Sequence, residues 1–212
     1  MNYKALIFDL DGTILDSMPV WVDVDVEFMA NHDITPTMEI FNKMKTLGFV
    51  ESAEYYVEKF NLPMTAQEVM WEIKSIVQHK YRYEVGLKPR VEEFLKQSFD
   101  SGIKLCVATA TNRELAEISL KRLGIMKYFS FILTGEDVGR GKDSPEIYIR
   151  AAELMGFPIC DVAVFEDAFH GIKTAKNAGF YVVAVYDKVA ENDLAEIEKY
   201  CDKFIYNYEE LL

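Results

Sequence analysis

Positive charge is scarce in this sequence: 23 Lys and Arg stand against 35 Asp and Glu, a formal net charge of −12. A surface with that balance repels a nucleic-acid backbone or an anionic bilayer, so neither a nucleic-acid nor a membrane partner is expected. Cysteine and histidine are equally sparse, with three of each in 212 residues. Cys106, Cys160 and Cys201 show neither a CxxC nor a zinc-binding spacing. An odd set of free thiols suits a reducing compartment better than a disulfide scaffold. Long apolar runs are missing as well: none approaches the roughly 20 residues that a membrane span requires. Asp9 and Asp11 interrupt the first apolar run too early for a signal peptide. A cytoplasmic location is therefore expected. No repeat or low-complexity tract divides the chain. Its length is enough for a core that buries roughly 70% of the unfolded surface without a staple.

What is present is short and regular. Six apolar runs stand out: Ala5–Phe8, Ile103–Ala108, Phe129–Leu133, Val162–Phe165, Tyr181–Val185 and Lys203–Tyr206. Most are continuous rather than alternating, the pattern of strands buried on both faces of a parallel sheet. Helical patterns beginning at Arg113, Ser144 and Gly171 lie between the later runs and stop at Gly124, Gly156 and Gly179. Alternating strand and helix predict an α/β fold with a doubly wound, Rossmann-like parallel sheet. Between the first run and the second, four helical patterns intervene, with Ser17 and Pro19 opening the first and Thr65 capping the last. The expected organisation is a core domain from 1–16 and 84–212, with an all-helical domain of 17–83 inserted into it. The aromatics Phe41, Phe49, Tyr55, Tyr56 and Trp71 read as the interior of that insertion.

Ligands of open parallel sheets bind beyond the carboxyl ends of the strands. Asp9 and Asp11 follow the first run, and Glu166 and Asp167 follow the fourth. Four carboxylates converging there repel one another unless a proton or a cation sits among them. With no histidine cluster to favour zinc, a hard oxygen-seeking ion such as Mg²⁺ is the natural occupant. Thr109 ends the second run, where a hydroxyl and following amides can hold an anionic oxygen. Lys142 precedes a helix and can supply positive charge. Singly, Thr109 is a turn residue and Lys142 a surface cation; their order along the chain gives them weight.

That order, DLDGT, ATAT, GKDSP and VFEDAFHGIKTAKNAG, resembles the four signature motifs of the haloacid dehalogenase superfamily over essentially the whole chain. The inserted helices resemble the helical cap of its beta-phosphoglucomutase and phosphoglycolate-phosphatase subgroup. The resemblance implies a Mg²⁺-dependent phosphatase of small phosphorylated metabolites, working as a monomer through an aspartyl-phosphate on Asp9. It implies Asp11 as general acid and base, and Thr109, the Ala110 amide and Lys142 as holders of the phosphoryl oxygens. It assigns the metal to Asp9, the Asp11 carbonyl, Asp167 and, directly or through water, Glu166. Asn112, Trp21 and Lys45 are the implied substrate contacts. A phosphosugar mutase is the alternative, opposed by Trp21 where the subgroup's mutases carry His and by Glu51 where Arg is expected. A phospho-receiver domain, which carries its phosphorylated Asp after the third strand where this chain has Thr134, is a non-enzyme alternative. A phosphosugar-binding protein is another.

Overall fold

The computed structural model describes residues 3–44 and 47–212. Its chain order begins with β1 (Ala5–Phe8), β2 (Leu15–Asp16) and four helices: α1 (Met18–Asn31), α2 (Met38–Met44), α3 (Phe49–Phe60) and α4 (Ala66–Tyr83). It continues through β3 (Gly86–Leu87), α5 (Val91–Asp100), β4 (Lys104–Thr109), α6 (Arg113–Arg122), β5 (Phe129–Thr134), α7 (Gly135–Val138) and α8 (Glu146–Met155). Last come β6 (Val162–Glu166), α9 (Phe169–Asn177), β7 (Tyr181–Val185), α10 (Leu194–Tyr200) and β8 (Lys203–Ile205). Two compact units result: Met1–Met18 with Val85–Leu212, and Pro19–Glu84.

The first unit is an α/β fold. Six strands form one sheet in the order β5-β4-β1-β6-β7-β8, and every neighbouring pair in it is parallel. The six apolar runs are these six strands, shifted by no more than a residue at either end. Chain order reverses on either side of β1, which makes its carboxyl end the switch point where such sheets open a crevice. Alternate residues of β1 serve opposite faces. Ala5 and Ile7 join Ile147, Tyr148 and Ala151 of α8 and Ile172 of α9 in one buried layer. Phe8 meets Phe94 of α5 at 6.3 Å between ring centroids and stacks on Phe165 at 4.6 Å. Tyr208, near the C-terminus, adds its ring to Phe94 at 5.4 Å.

Some elements carry no strong sequence signal. β2 and β3 are two residues each and pair antiparallel, Leu15 with Leu87 and Asp16 with Gly86. α5 opens at Arg90, which adopts a left-handed φ of 65°. α9 begins two residues before Gly171, at Phe169. The glycine stops behave as the patterns predict: Gly124, Gly156 and Gly179 have φ of 73°, 82° and 93°.

The second unit is four helices around its own core. Val20, Val24 and Phe28 are buried at helical spacing on α1, and Phe28 packs against Tyr56 at 4.7 Å. Thr65 caps α4 through a reciprocal bond with Glu68, worth about 1 kcal/mol in comparable helices. Lys80 is 7% exposed and held by Glu27 at 3.0 Å and Glu84 at 3.1 Å. The aromatic reading needs correction. Tyr56 is buried, but Trp71 and Phe49 are exposed, because α3 and α4 turn those positions away from the face the helices share. Among the described residues, no helix is long and apolar enough to cross a membrane.

Candidate active site

Strand pairing delivers the first pair of carboxylates. The Asp9 amide donates to the Phe165 carbonyl at 2.9 Å, extending the β1–β6 ladder one residue beyond Phe8. Asp9 thereby stands beside the end of β6, where Glu166 and Asp167 leave the sheet. Oxygens from Asp9, Glu166 and Asp167 lie within 4.8 Å of one another, and all three side chains are buried. At an effective dielectric near 20, ionised groups that close repel by at least about 3 kcal/mol a pair.

One cation answers them. Lys142 Nζ donates to Asp9 Oδ1 and, at 2.7 Å, to Glu166 Oε2. Burial alone would lower the lysine's pKa, but Asp9 and Glu166 together outweigh it and hold the ammonium well above its usual value. The carboxyl of Asp9 is driven up by burial and then by Glu166, against the pull of Lys142. Asp167 is pushed up to about 7, by burial first and Glu166 second, although Thr13 Oγ1 donates to its Oδ1 at 2.9 Å. Three carboxylates with one ammonium leave the cluster short of positive charge.

The cluster fits a divalent, oxygen-seeking cation. Its donors are carboxylate oxygens drawn to one point, with no imidazole or thiol among them. The backbone also leaves room beside them. A Cβ on Gly12, whose φ is 77°, would lie 2.2 Å from Asp167 Oδ2, so only glycine lets the loop after β1 pass this close.

Asp11 faces a different set of groups. Its Oδ1 accepts from Ser17 Oγ at 2.6 Å and its Oδ2 from Thr111 Oγ1. Thr111 belongs to the turn that Thr109 shapes by accepting the Thr111 amide at 3.0 Å. The end of β1 and the end of β4 are thus tied through Asp11. Ser17, expected as the cap of α1, directly precedes that helix and donates its hydroxyl to this carboxylate.

The remaining predicted residues are less central. Ala110 and Asn112 are exposed beside Thr109, and the Asn112 side-chain Oδ1 caps α6 by accepting the Glu114 amide at 2.9 Å. Trp21 belongs to the helical unit, 47% exposed, on the wall of an apolar groove of about 320 Å³ shared with Phe41, Met44 and Phe49. Lys45 lies outside the described residues. Thr134 opens α7 in a reciprocal cap with Asp137 and stands at the end of β5.

Sequence reasoning passed over four groups. Thr13 and Thr111 lie inside DLDGT and ATAT, where a hydroxyl beside a strand-end carboxylate was a usable signal. Tyr148 Oη donates to Glu166 Oε2 at 2.9 Å, and Tyr208 Oη donates to the Thr13 carbonyl at 3.2 Å. Neither tyrosine has a local signal, because each reaches the site across the packed core.

The chain matches the haloacid dehalogenase-like hydrolase family over residues 6–185. It belongs to that family, and it is an enzyme, a hydrolase. A protein provisionally named phosphatase YhcW of Bacillus subtilis (strain 168) is 30% identical over 187 residues, covering 88% of this chain and 84% of that protein. The phosphorylated carbohydrates phosphatase of Thermotoga maritima is 27% identical over 176 residues, 83% of this chain and 82% of its own. Among solved structures, a Thermotoga maritima protein provisionally assigned as a beta-phosphoglucomutase superposes with a TM-score of 0.86 at 24% identity. That likeness covers 95% of this chain and 94% of the other and concerns the fold.

Proposed function

We propose that this chain is a Mg²⁺-dependent phosphatase that hydrolyses a small phosphorylated metabolite, a sugar phosphate or similar, through a phosphoryl group carried on Asp9. The observation that carries this reading is the buried Asp9–Lys142–Glu166 ion pairing with Asp167 beside it, at the carboxyl ends of β1 and β6. Relatives named for phosphorylated carbohydrates and for glycerol 3-phosphate support the substrate class.

In the first half-reaction a carboxylate oxygen of Asp9 attacks phosphorus. As the new O–P bond forms, the ester P–O bond breaks and Asp11 gives its proton to the leaving oxygen. In the second half a water oxygen attacks the same phosphorus and passes a proton to Asp11. Asp9 leaves as a carboxylate and inorganic phosphate is released. Lys142, with Thr109 and the Ala110 amide, holds the phosphoryl oxygens against the repulsion between a carboxylate and a phosphate dianion. Ser17 and Thr111 fix the plane of the Asp11 carboxylate through both halves. Mg²⁺, when held by Asp9, Asp167, the Asp11 carbonyl and Glu166, supplies the positive charge that the cluster lacks. Asn112, whose side-chain amide can donate, is the proposed contact to the leaving group.

The test is phosphate release from a panel of sugar phosphates, polyol phosphates and an aryl phosphate, with Mg²⁺ and after chelation. Release should stop on chelation and return with Mg²⁺. Asp9→Asn should lower turnover by at least about a thousandfold while the protein stays folded. Undiminished release after exhaustive chelation, or an active, undeamidated Asp9→Asn protein, would reject the reading.

A further inference from the structure

Tyr148 lies on α8, inside the layer that packs this helix against the sheet. Its ring meets Phe180 edge-on at 6.3 Å, and the residue is completely buried. The hydroxyl leaves this apolar setting in one direction, toward Glu166 Oε2 at 2.9 Å. That same oxygen accepts Lys142 Nζ at 2.7 Å, and Lys142 in turn donates to Asp9 Oδ1.

We infer that Tyr148 is a positioning residue of the phosphoryl-transfer site: its hydroxyl fixes the Glu166 carboxylate so that Lys142 bridges Glu166 and Asp9. This rests on the phosphatase reading of the same site; Lys142 Nζ also lies over the Tyr148 ring, 5.8 Å from its centroid, a contact that Tyr148→Phe keeps while the hydroxyl is lost.

The argument is one of constraint. A glutamate's terminal torsion is broad and has no steep preference of its own, so its carboxylate plane is set by its partners. Among the described residues, Glu166 Oε1 accepts only the long bond from the Ala168 amide at 3.3 Å. On the α9 side the carboxylate is packed against Gly171, where an added Cβ would lie 2.7 Å from Cδ. Packing limits where the group can go but does not orient it. The lysine cannot do so either, because an ammonium on a flexible four-carbon stem follows its acceptor. The phenol is different. It is carried on a rigid ring locked in the core and reaches Oε2 from the helix side. Removing its hydroxyl leaves Glu166 free to turn, and the ammonium drifts with it. A small displacement of a group that contacts the reacting phosphoryl costs rate more than affinity.

A double-mutant cycle on phosphate release decides it. Tyr148→Phe keeps the ring and should lower kcat about tenfold, equivalent to about 1.4 kcal/mol of barrier, with KM changed less than twofold and melting temperature nearly constant. In a Glu166→Gln background the same change should cost less than twofold, because the acceptor it orients is already altered. Phe180→Leu, which loosens the packing around the ring and leaves the hydroxyl in place, should lower the melting temperature with kcat preserved. Wild-type turnover in Tyr148→Phe, effects that simply multiply in the double mutant, or a Tyr148→Phe protein that does not fold would each overturn the inference. Absence of phosphate release from the wild-type protein would instead reject the phosphatase reading itself.

Discussion

Asp11 is held by two hydroxyls, and each of its carboxylate oxygens is engaged. A group so fixed is suited to give a proton in one step and take one back in the next without moving. The two steps can be separated chemically. With an aryl phosphate, whose leaving group departs without acid help, Asp11→Asn should leave formation of the covalent phosphate nearly intact and slow its hydrolysis. The intermediate then accumulates and can be trapped by rapid acid quenching. Steep loss of turnover with no trapped phosphate would argue that Asp11 acts elsewhere.

Asp167 and Asp9, both raised by burial and by Glu166, share the pH dependence. Without a metal the pKa of Asp167 stands at about 7, against an ordinary 3.8. Between those values the folded protein keeps a proton that the unfolded chain releases. The folded state therefore loses stability as pH rises through that window, the reverse of a salt-bridged aspartate. Metal binding needs the ionised carboxylate and must displace the proton. Apparent Mg²⁺ affinity should climb with pH by about tenfold per unit for each proton displaced, from Asp167 and from Asp9, whose carboxyl is also held up by burial and Glu166. Calorimetric titration between pH 5.5 and 8.5, on the order of one reading per half unit, tests it. A flat profile would mean that the cluster is already ionised.

At the scale of elements, α9 shows a local preference overruled by its surroundings. Gly171 lies in the first turn of that helix, where alanine is ordinarily better by about 1 kcal/mol. Here a Cβ would meet Glu166 Cδ at 2.7 Å and Oε2 at 2.8 Å. Glu166 cannot yield cheaply, since Tyr148 holds its carboxylate from the core. Gly171→Ala should therefore destabilise by about 1–3 kcal/mol and reduce kcat, as thermal melting and phosphate release would report. A stabilised, fully active Gly171→Ala protein would show that the carboxylate is looser than its bonds imply.

For the whole molecule, the question is what becomes of the phosphoryl group proposed to form on Asp9. A mutase must shield it from water while a second phosphate is clamped by basic side chains. In this chain Trp21 and Glu51 stand where the resemblance leads one to expect His and Arg. Phosphate release should accordingly outrun isomerisation when β-glucose 1-phosphate is supplied with a bisphosphate primer. Glucose 6-phosphate forming faster than inorganic phosphate would make the chain a mutase.

The sequence by itself determined the α/β sheet and the residues at its strand ends. Strands buried on both faces must be continuously apolar, so the places where carboxylates interrupt such runs are visible in one dimension. Asp9, Glu166 and Asp167 were legible for that reason, Thr109 and Lys142 through the order of the motifs, and that order named the family. Tertiary structure alone decided which groups hold them. Ser17 offered a helix cap in sequence; that its hydroxyl donates to Asp11 follows from the turn from Gly12 to Leu15, which folds the chain back on itself. Trp71 had the composition of a core residue, yet α4 faces it to solvent. Tyr148 and Tyr208 reach Glu166 and Thr13 from sequence separations of 18 and 195 residues. No local pattern encodes such contacts, because a phenol buried in the core finds its acceptor only after sheet and helices have packed.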